Sequence, residues 1–216
     1  MTLLNLRQAG VSYSGQVALH PIDLDVAAGE RVAIMGRSGS GKSSLLGLVY
    51  QRLSGMAALV PQAAALVGPL SVFHNVFMGR LDRFSAAHNL RVLAWPRRRE
   101  LAEVEAVLEQ VGLADKLRAH ANTLSGGQQQ RASVARALYN GRSVVIGDEP
   151  VSALDRTQGT AVLHRMGDRH ETVVVAMHDI PMALDFASRI LVLDAGRVVL
   201  DAPAGDVAAA DLGRFF

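Results

Sequence analysis

The chain has 216 residues, half of them hydrophobic, with a formal net charge of +2 and no cysteine. That length suits one domain, or one domain with an inserted subdomain, and a mean hydropathy of +0.20 leaves apolar surface beyond a core's needs, as an interface would use. A charge this close to neutral, with no long Lys/Arg run, gives no sign of a nucleic-acid partner, which is not expected, and the lack of cysteine fits a reducing cytoplasm.

The first seven residues lack a basic start followed by an apolar core, so no signal peptide is expected. Leu4, Leu6, Ala9 and Val11 alternate loosely and predict an edge strand over 3–13. A turn at Ser14-Gly15 leads to a second strand over 17–26, which Pro21 should break. Residues 30–35 read as a short buried strand and 44–50 as the start of a helix. Residues 57–60 form another short strand, ending at Pro61-Gln62. From 53 to 79 there is no Asp, Glu, Lys or Arg, but Pro61, Gln62, Pro69, Ser71, His74 and Asn75 interrupt the stretch, so it is no membrane span. Ser71 caps a helix expected over 71–80, with Val72, Val76 and Phe77 on one face. Residues 81–96 carry no clear pattern. The triple arginine 97–99 opens an amphipathic helix in which Leu101, Val104, Val107, Leu108 and Val111 recur until Gly112 stops it.

A further helix spans 125–139 and closes at Asn140-Gly141. Val144-Val145-Ile146 is a buried strand, 156–169 a helix, 173–177 another buried strand and 181–187 a short helix. Residues 190–193 and 198–200 make a hairpin about Asp194-Ala195-Gly196. Apolar strands alternating with helices predict an α/β fold with a mainly parallel sheet. The all-helical section, residues 63–139, reads as a subdomain inserted into a core of residues 1–62 and 140–216.

Two stretches carry chemistry by themselves. Gly36-Arg37-Ser38-Gly39-Ser40-Gly41-Lys42-Ser43 satisfies every fixed position of a phosphate-binding loop and lies between a strand and a helix, the context that motif needs. Its glycines let backbone N–H groups of Gly36, Ser38, Gly39, Ser40, Gly41 and the following Ser43-Ser44 turn onto a polyphosphate. The helix N-terminus adds positive potential. Lys42 would reach the outer phosphates and the Ser43 hydroxyl would ligate Mg²⁺. Downstream, the strand 144–146 delivers Asp148 and Glu149 at its C-terminal end, where ligands sit in open α/β sheets. Asp148 is placed to hold Mg²⁺ and Glu149 to orient or deprotonate a water aimed at the γ-phosphate. A third stretch, Leu124-Ser125-Gly126-Gly127-Gln128-Gln129-Gln130-Arg131, offers a helix start with two glycines and a hydroxyl, suited to an anion.

The last motif, in order with the other two, resembles the signature of the ABC (ATP-binding cassette) transporter family, and the likeness covers nearly the whole chain. It implies a P-loop NTPase of the cassette type with ATP and Mg²⁺ as ligands. Tyr13 falls where the family stacks an aromatic ring on adenine. Gln62 matches the glutamine that senses the γ-phosphate and Mg²⁺, His178 the switch histidine, and Ser152-Ala153-Leu154-Asp155 the loop that crosses the dimer. The resemblance further implies a second cassette whose ATP is met by Ser125, Gly127, Gln128 and Asp155 of this one. Integral membrane permease subunits and a solute-binding protein would complete the assembly, with the cassette peripheral on the cytoplasmic face of the inner membrane. Phe77-Met78-Gly79-Arg80-Leu81 is similar to the phosphonate-importer branch, so the expected cargo is phosphonate or a related oxyanion. An exporter or lipoprotein-release cassette, and a soluble ATPase acting on nucleic acid or ribosomes, are the alternatives.

The chain departs from the family pattern in three places. Only 20 positions separate Lys42 from Gln62, too few for the usual antiparallel hairpin subdomain. Arg37 stands where proline is common in the loop, and Ser44 where threonine is. Gly147 precedes Asp148 where an apolar side chain is usual, which predicts a looser strand end.

Overall fold

The computed structural model describes residues 1–215, and its chain begins in an antiparallel ribbon of β1 (Thr2–Tyr13) and β2 (Gln16–Ala27). Pro21 does not break β2, contrary to the sequence reading. β2 pairs only with β1, and the pairing is already irregular between Ala9 and Val11, so a residue without an N–H costs the ladder little there.

The central sheet contains β3 (Arg31–Met35), β4 (Ala57–Val60), β5 (Val144–Asp148), β6 (Thr172–Ala176), β7 (Arg189–Asp194) and β8 (Arg197–Pro203), in the order β4-β5-β6-β3-β7-β8. The first five run parallel and β8 returns antiparallel to β7. Both faces are covered, which is why these strands read as continuous apolar runs. Val32, Ile34, Ile146 and Val174 pack with the ribbon and α1 (Lys42–Leu53). Their neighbours Ala33, Met35, Val145 and Val173 look to the opposite face, the period-2 alternation of a strand. Between α1 and β4 lie only residues 54–56, so the expected shortening of the antiparallel part is real.

The opposite face is covered by α2 (Val72–Phe77), α3 (Ala86–Ala94), α4 (Arg98–Gln110), α5 (Gly126–Asn140), α6 (Arg156–Arg169), α7 (Ile180–Phe186) and α8 (Ala209–Gly213), with α2 and α4 packed on α5. Ser71 caps α2 as its sequence suggests. The helix is shorter than expected, ending at Phe77 and tightening into a 3₁₀ turn over Met78–Arg83. Close packing stops it: a Cβ on Gly79 would lie 2.4 Å from the Arg136 carbonyl of α5. The patternless stretch yields α3, capped by Ser85, with Leu90 and Leu93 exposed. Gly147 also corrects its expectation. A Cβ there would stand 3.0 Å from Pro150 and 3.1 Å from Val175, so the strand end is tightly packed and glycine is what fits.

Two histidines inside this fold give it an acid sensitivity. His170, 2% exposed, directs Nδ1 to the Arg142 carbonyl at 2.7 Å, and its Nε2 has no partner. Burial holds the pKa of His170 below its ordinary value, and that of His74 likewise. The unfolded chain therefore binds more protons below about pH 6.5, and stability is lost as pH falls through that value. Melting temperature is expected to drop between about pH 7 and pH 5, and His170→Asn should show a smaller drop; equal slopes would remove His170 as a cause.

Candidate active site

The site is built where β3 runs into α1. Gly36, at φ +135°, passes so close to β7 that a Cβ would lie 2.1 Å from the Leu193 carbonyl. Gly41, the N-cap of α1 at φ +102°, would set a Cβ 2.7 Å from the Ala18 carbonyl. Only glycine meets both conditions, a left-handed backbone and a close approach. The loop they allow holds Lys42 buried, with Nζ donating to the carbonyls of Gly36 at 2.7 Å and Arg37 at 2.9 Å. Burial lowers the pKa of Lys42, opposed by the charges of Glu149 and Asp148. Inside the same loop the Ser40 hydroxyl, on a side chain 4% exposed, is buried without a hydrogen-bond partner. A glycine cradle, a buried cation and an unused hydroxyl together suit a polyphosphate.

The adjoining cleft, about 210 Å³, is lined by Ser38, Gly39, Lys42, Ser43, Gln62 and Glu149, with Gly41 and Ser44 at its wall. Positions 38 and 149 meet here because β3 and β5 both run parallel to β6, so their C-terminal ends share one edge. Asp148 closes β5 opposite Ala176. Glu149 follows with φ +52°, unfavourable for a residue with a side chain and of the kind that collects at functional sites. Its Oε1 meets Nε2 of His178 at 2.5 Å, His178 having been delivered two residues beyond β6. A second hollow of about 320 Å³, lined by Glu149, Ser152, Leu154, Met177, His178 and Asp179 among others, opens beside that pair.

Other expected site residues stand apart from this cleft. Tyr13 sits at the tip of the ribbon, 60% exposed, and does not line it. Ser125 and Gln128 form a reciprocal cap on α5: Ser125 Oγ accepts from Gln128 N–H at 3.3 Å, and Gln128 Oε1 accepts from Ser125 N–H at 3.0 Å. Gly127 presses on the turn after β5, where a Cβ would lie 2.9 Å from the Ala153 carbonyl. Asp155 caps α6 by accepting from Gln158 N–H at 2.9 Å. Within one chain, then, the signature residues and Asp155 are not brought to the phosphate loop.

Two residues to which the sequence assigns no role of their own belong to the architecture of the site. Arg136, half-buried, donates to the carbonyls of Ala64 at 3.1 Å and Ala65 at 2.8 Å, tying the segment after Gln62 to α5. Gln130, also on α5, reaches the turn that carries Glu149. Both lie in the run after the signature, where their types alone suggest nothing beyond a solvated helix face.

Residues 19–152 match the protein family described as ABC transporter. The chain belongs to the ABC transporter family. Among curated ABC proteins it is 36% identical to the phosphonates import ATP-binding protein PhnC of Anaeromyxobacter dehalogenans, an alignment covering 99% of this chain and 48% of that protein. It is 32% identical to PhnC of Caulobacter vibrioides, over 95% of this chain and 89% of that one. It is also 37% identical to the macrolide export ATP-binding/permease protein MacB of Shigella dysenteriae, over 94% of this chain but 35% of that protein. Of solved ABC structures, the dimeric bacterial cassette MJ0796 superimposes with a TM-score of 0.81 at 26% identity, covering 94% of this chain and 99% of that one. The fold is thus an ABC-type P-loop NTPase, and no described helix is long and apolar enough to cross a membrane.

Proposed function

We propose that the chain is the ATP-binding and ATP-hydrolysing subunit of an ABC importer for phosphonate or a related oxyanion. The observation that carries this reading is Glu149, which lines the cleft of the phosphate loop together with Lys42 and is paired to His178 of the adjoining hollow. ATP would lay its phosphates along the N–H groups of 36–44, with Lys42 against the outer phosphates. Glu149, the general base, takes a proton from the attacking water, while His178 contacts the γ-phosphate and holds the Glu149 carboxylate in line. Mg²⁺, when bound, neutralises charge on the phosphate oxygens, and Ser43, Gln62 and Asp148 are the residues that would hold it. Tyr13 keeps a ring face open for adenine.

The signature serves a second copy. Ser125, Gly127 and Gln128 do not line the cleft of their own phosphate loop, so ATP bridging two cassettes would give them a ligand and make nucleotide the glue of a two-state dimer. MJ0796, described as a dimeric cassette, supports that arrangement. Membrane permease subunits dock beside Gln62 and the helices of 63–139, on the cytoplasmic face of the membrane, and a solute-binding protein brings the cargo. The names of the PhnC relatives favour import of a phosphonate; the MacB likeness favours a macrolide exporter as the second reading.

Growth decides between them. In the source organism lacking the gene, wild-type protein is expected to restore growth on 2-aminoethylphosphonate as sole phosphorus source and Glu149→Gln to fail. Unimpaired growth of the deletion strain, with heightened macrolide sensitivity, would replace the importer by the exporter.

A further inference from the structure

The Glu149 backbone stands in a conformation that a residue with a side chain does not hold by itself. It is held from three sides: its N–H donates to the Ala176 carbonyl at 3.1 Å, and its carbonyl is met by its own turn and by α5. Gln130 is 7% exposed, and its amide is fully used. Nε2 donates to the Glu149 carbonyl at 2.6 Å and to Ser152 Oγ at 3.1 Å, and Oε1 accepts from Ala153 N–H at 2.7 Å. Ser152 completes the knot, its hydroxyl donating to the same Glu149 carbonyl at 3.2 Å and its N–H at 3.3 Å. The plane of the 149–150 peptide is therefore set by donors that converge on one oxygen, and that plane fixes where the Glu149 side chain leaves the chain towards His178.

We infer that Gln130 is a positioning residue for hydrolysis, clamping the backbone of Glu149 so that its carboxylate meets His178 and the cleft, and transmitting the position of α5 to that carboxylate. The inference rests on the reading of Glu149 as general base. The path is short and rigid. Gly127, one turn before Gln130, is pressed on Ala153 of the same turn, so the start of α5 cannot shift without moving residues 149–153. In the proposed dimer that helix start is the surface that meets the partner's nucleotide. Gln130 would then make the base depend on whether the signature is engaged, a packed two-position element of the sort that couples sites.

Steady-state ATP hydrolysis, with ATP affinity measured separately, tests this in the full chain. Gln130→Ala is expected to lower kcat about 10- to 100-fold, the scale of a misplacement near 1 Å, with KM and ATP affinity within about twofold of the parent. Gln130→Glu keeps the volume and the acceptor for Ala153 N–H but loses both donors, and should fall with it. Ser152→Ala, at an exposed site, should lose less and in the same parameter, and the double variant should lose less than the product of the two because they share one acceptor. Should Gln130→Ala not fold, the glutamate and Ser152 variants decide. Glu149→Gln, run alongside, separates the two ideas: normal turnover in it removes the base and this inference with it. An inactive Glu149→Gln beside folded Gln130 and Ser152 variants with parental kcat overturns the positioning role alone. A raised KM with unchanged kcat overturns it as well, since that is the mark of a merely structural bond.

Discussion

Glu149→Gln is expected to leave ATP affinity within about twofold of the parent while cutting turnover by at least about a hundredfold, the usual share of a positioned general base. The amide has the shape of the carboxylate and can still hydrogen-bond Nε2 of His178, so the 2.5 Å pairing and the backbone at φ +52° need not rearrange. It cannot accept a proton from water. Binding should be untouched because the proposed phosphate contacts come from the 36–44 loop, which lines the same cleft. Equilibrium binding of a fluorescent ATP analogue, beside phosphate release under saturating ATP, reads the two effects apart. Near-normal hydrolysis would take the role of base away from Glu149.

Lys42→Ala should fail one step earlier. A charged hydrogen bond contributes about 1.5–3 kcal/mol, and about 1.4 kcal/mol is a factor of ten in affinity; losing the proposed contact of the lysine with the outer phosphates should weaken ATP binding about 10- to 100-fold. The free protein should be far less affected. Removing the side chain deletes two bonds to the carbonyls of Gly36 and Arg37, but it also relieves the cost of a buried charge, visible in the lowered pKa of Lys42. Titration calorimetry gives the first number and a melting curve without nucleotide the second. An ATP affinity within threefold of the parent would place the lysine outside the phosphate contacts.

These two variants divide binding from chemistry, and each residue was legible from the sequence for a local reason. Lys42 belongs to a contiguous loop whose glycines, strand and helix are all within a few residues. Glu149 is announced by the apolar strand that precedes it. Capping residues were legible in the same way, since Ser71 and Ser125 sit where their own helix needs an acceptor. Pro21 and Gly147 misled because their local rules, a missing donor and a missing side chain, were outweighed by neighbours distant in sequence. The irregular register of β1 against β2 removes the penalty at one, and Pro150 with Val175 fills the space at the other.

The sequence by itself determined the class of sheet, the phosphate loop, the acid pair at the end of β5 and the family, because each is written in contiguous residues whose spacing matches a strand, a turn or a helix. The tertiary structure decided which of these come together. Parallel pairing of β3, β6 and β5 puts residues more than a hundred positions apart on one edge. It sets His178 against Glu149 and leaves the signature residues out of the lining of the phosphate cleft. It also turns Gln130 and Arg136, ordinary polar residues of an amphipathic helix, into ties between α5 and the site. Such ties depend on which carbonyls the fold leaves without a partner, a property of three-dimensional packing that no local pattern records.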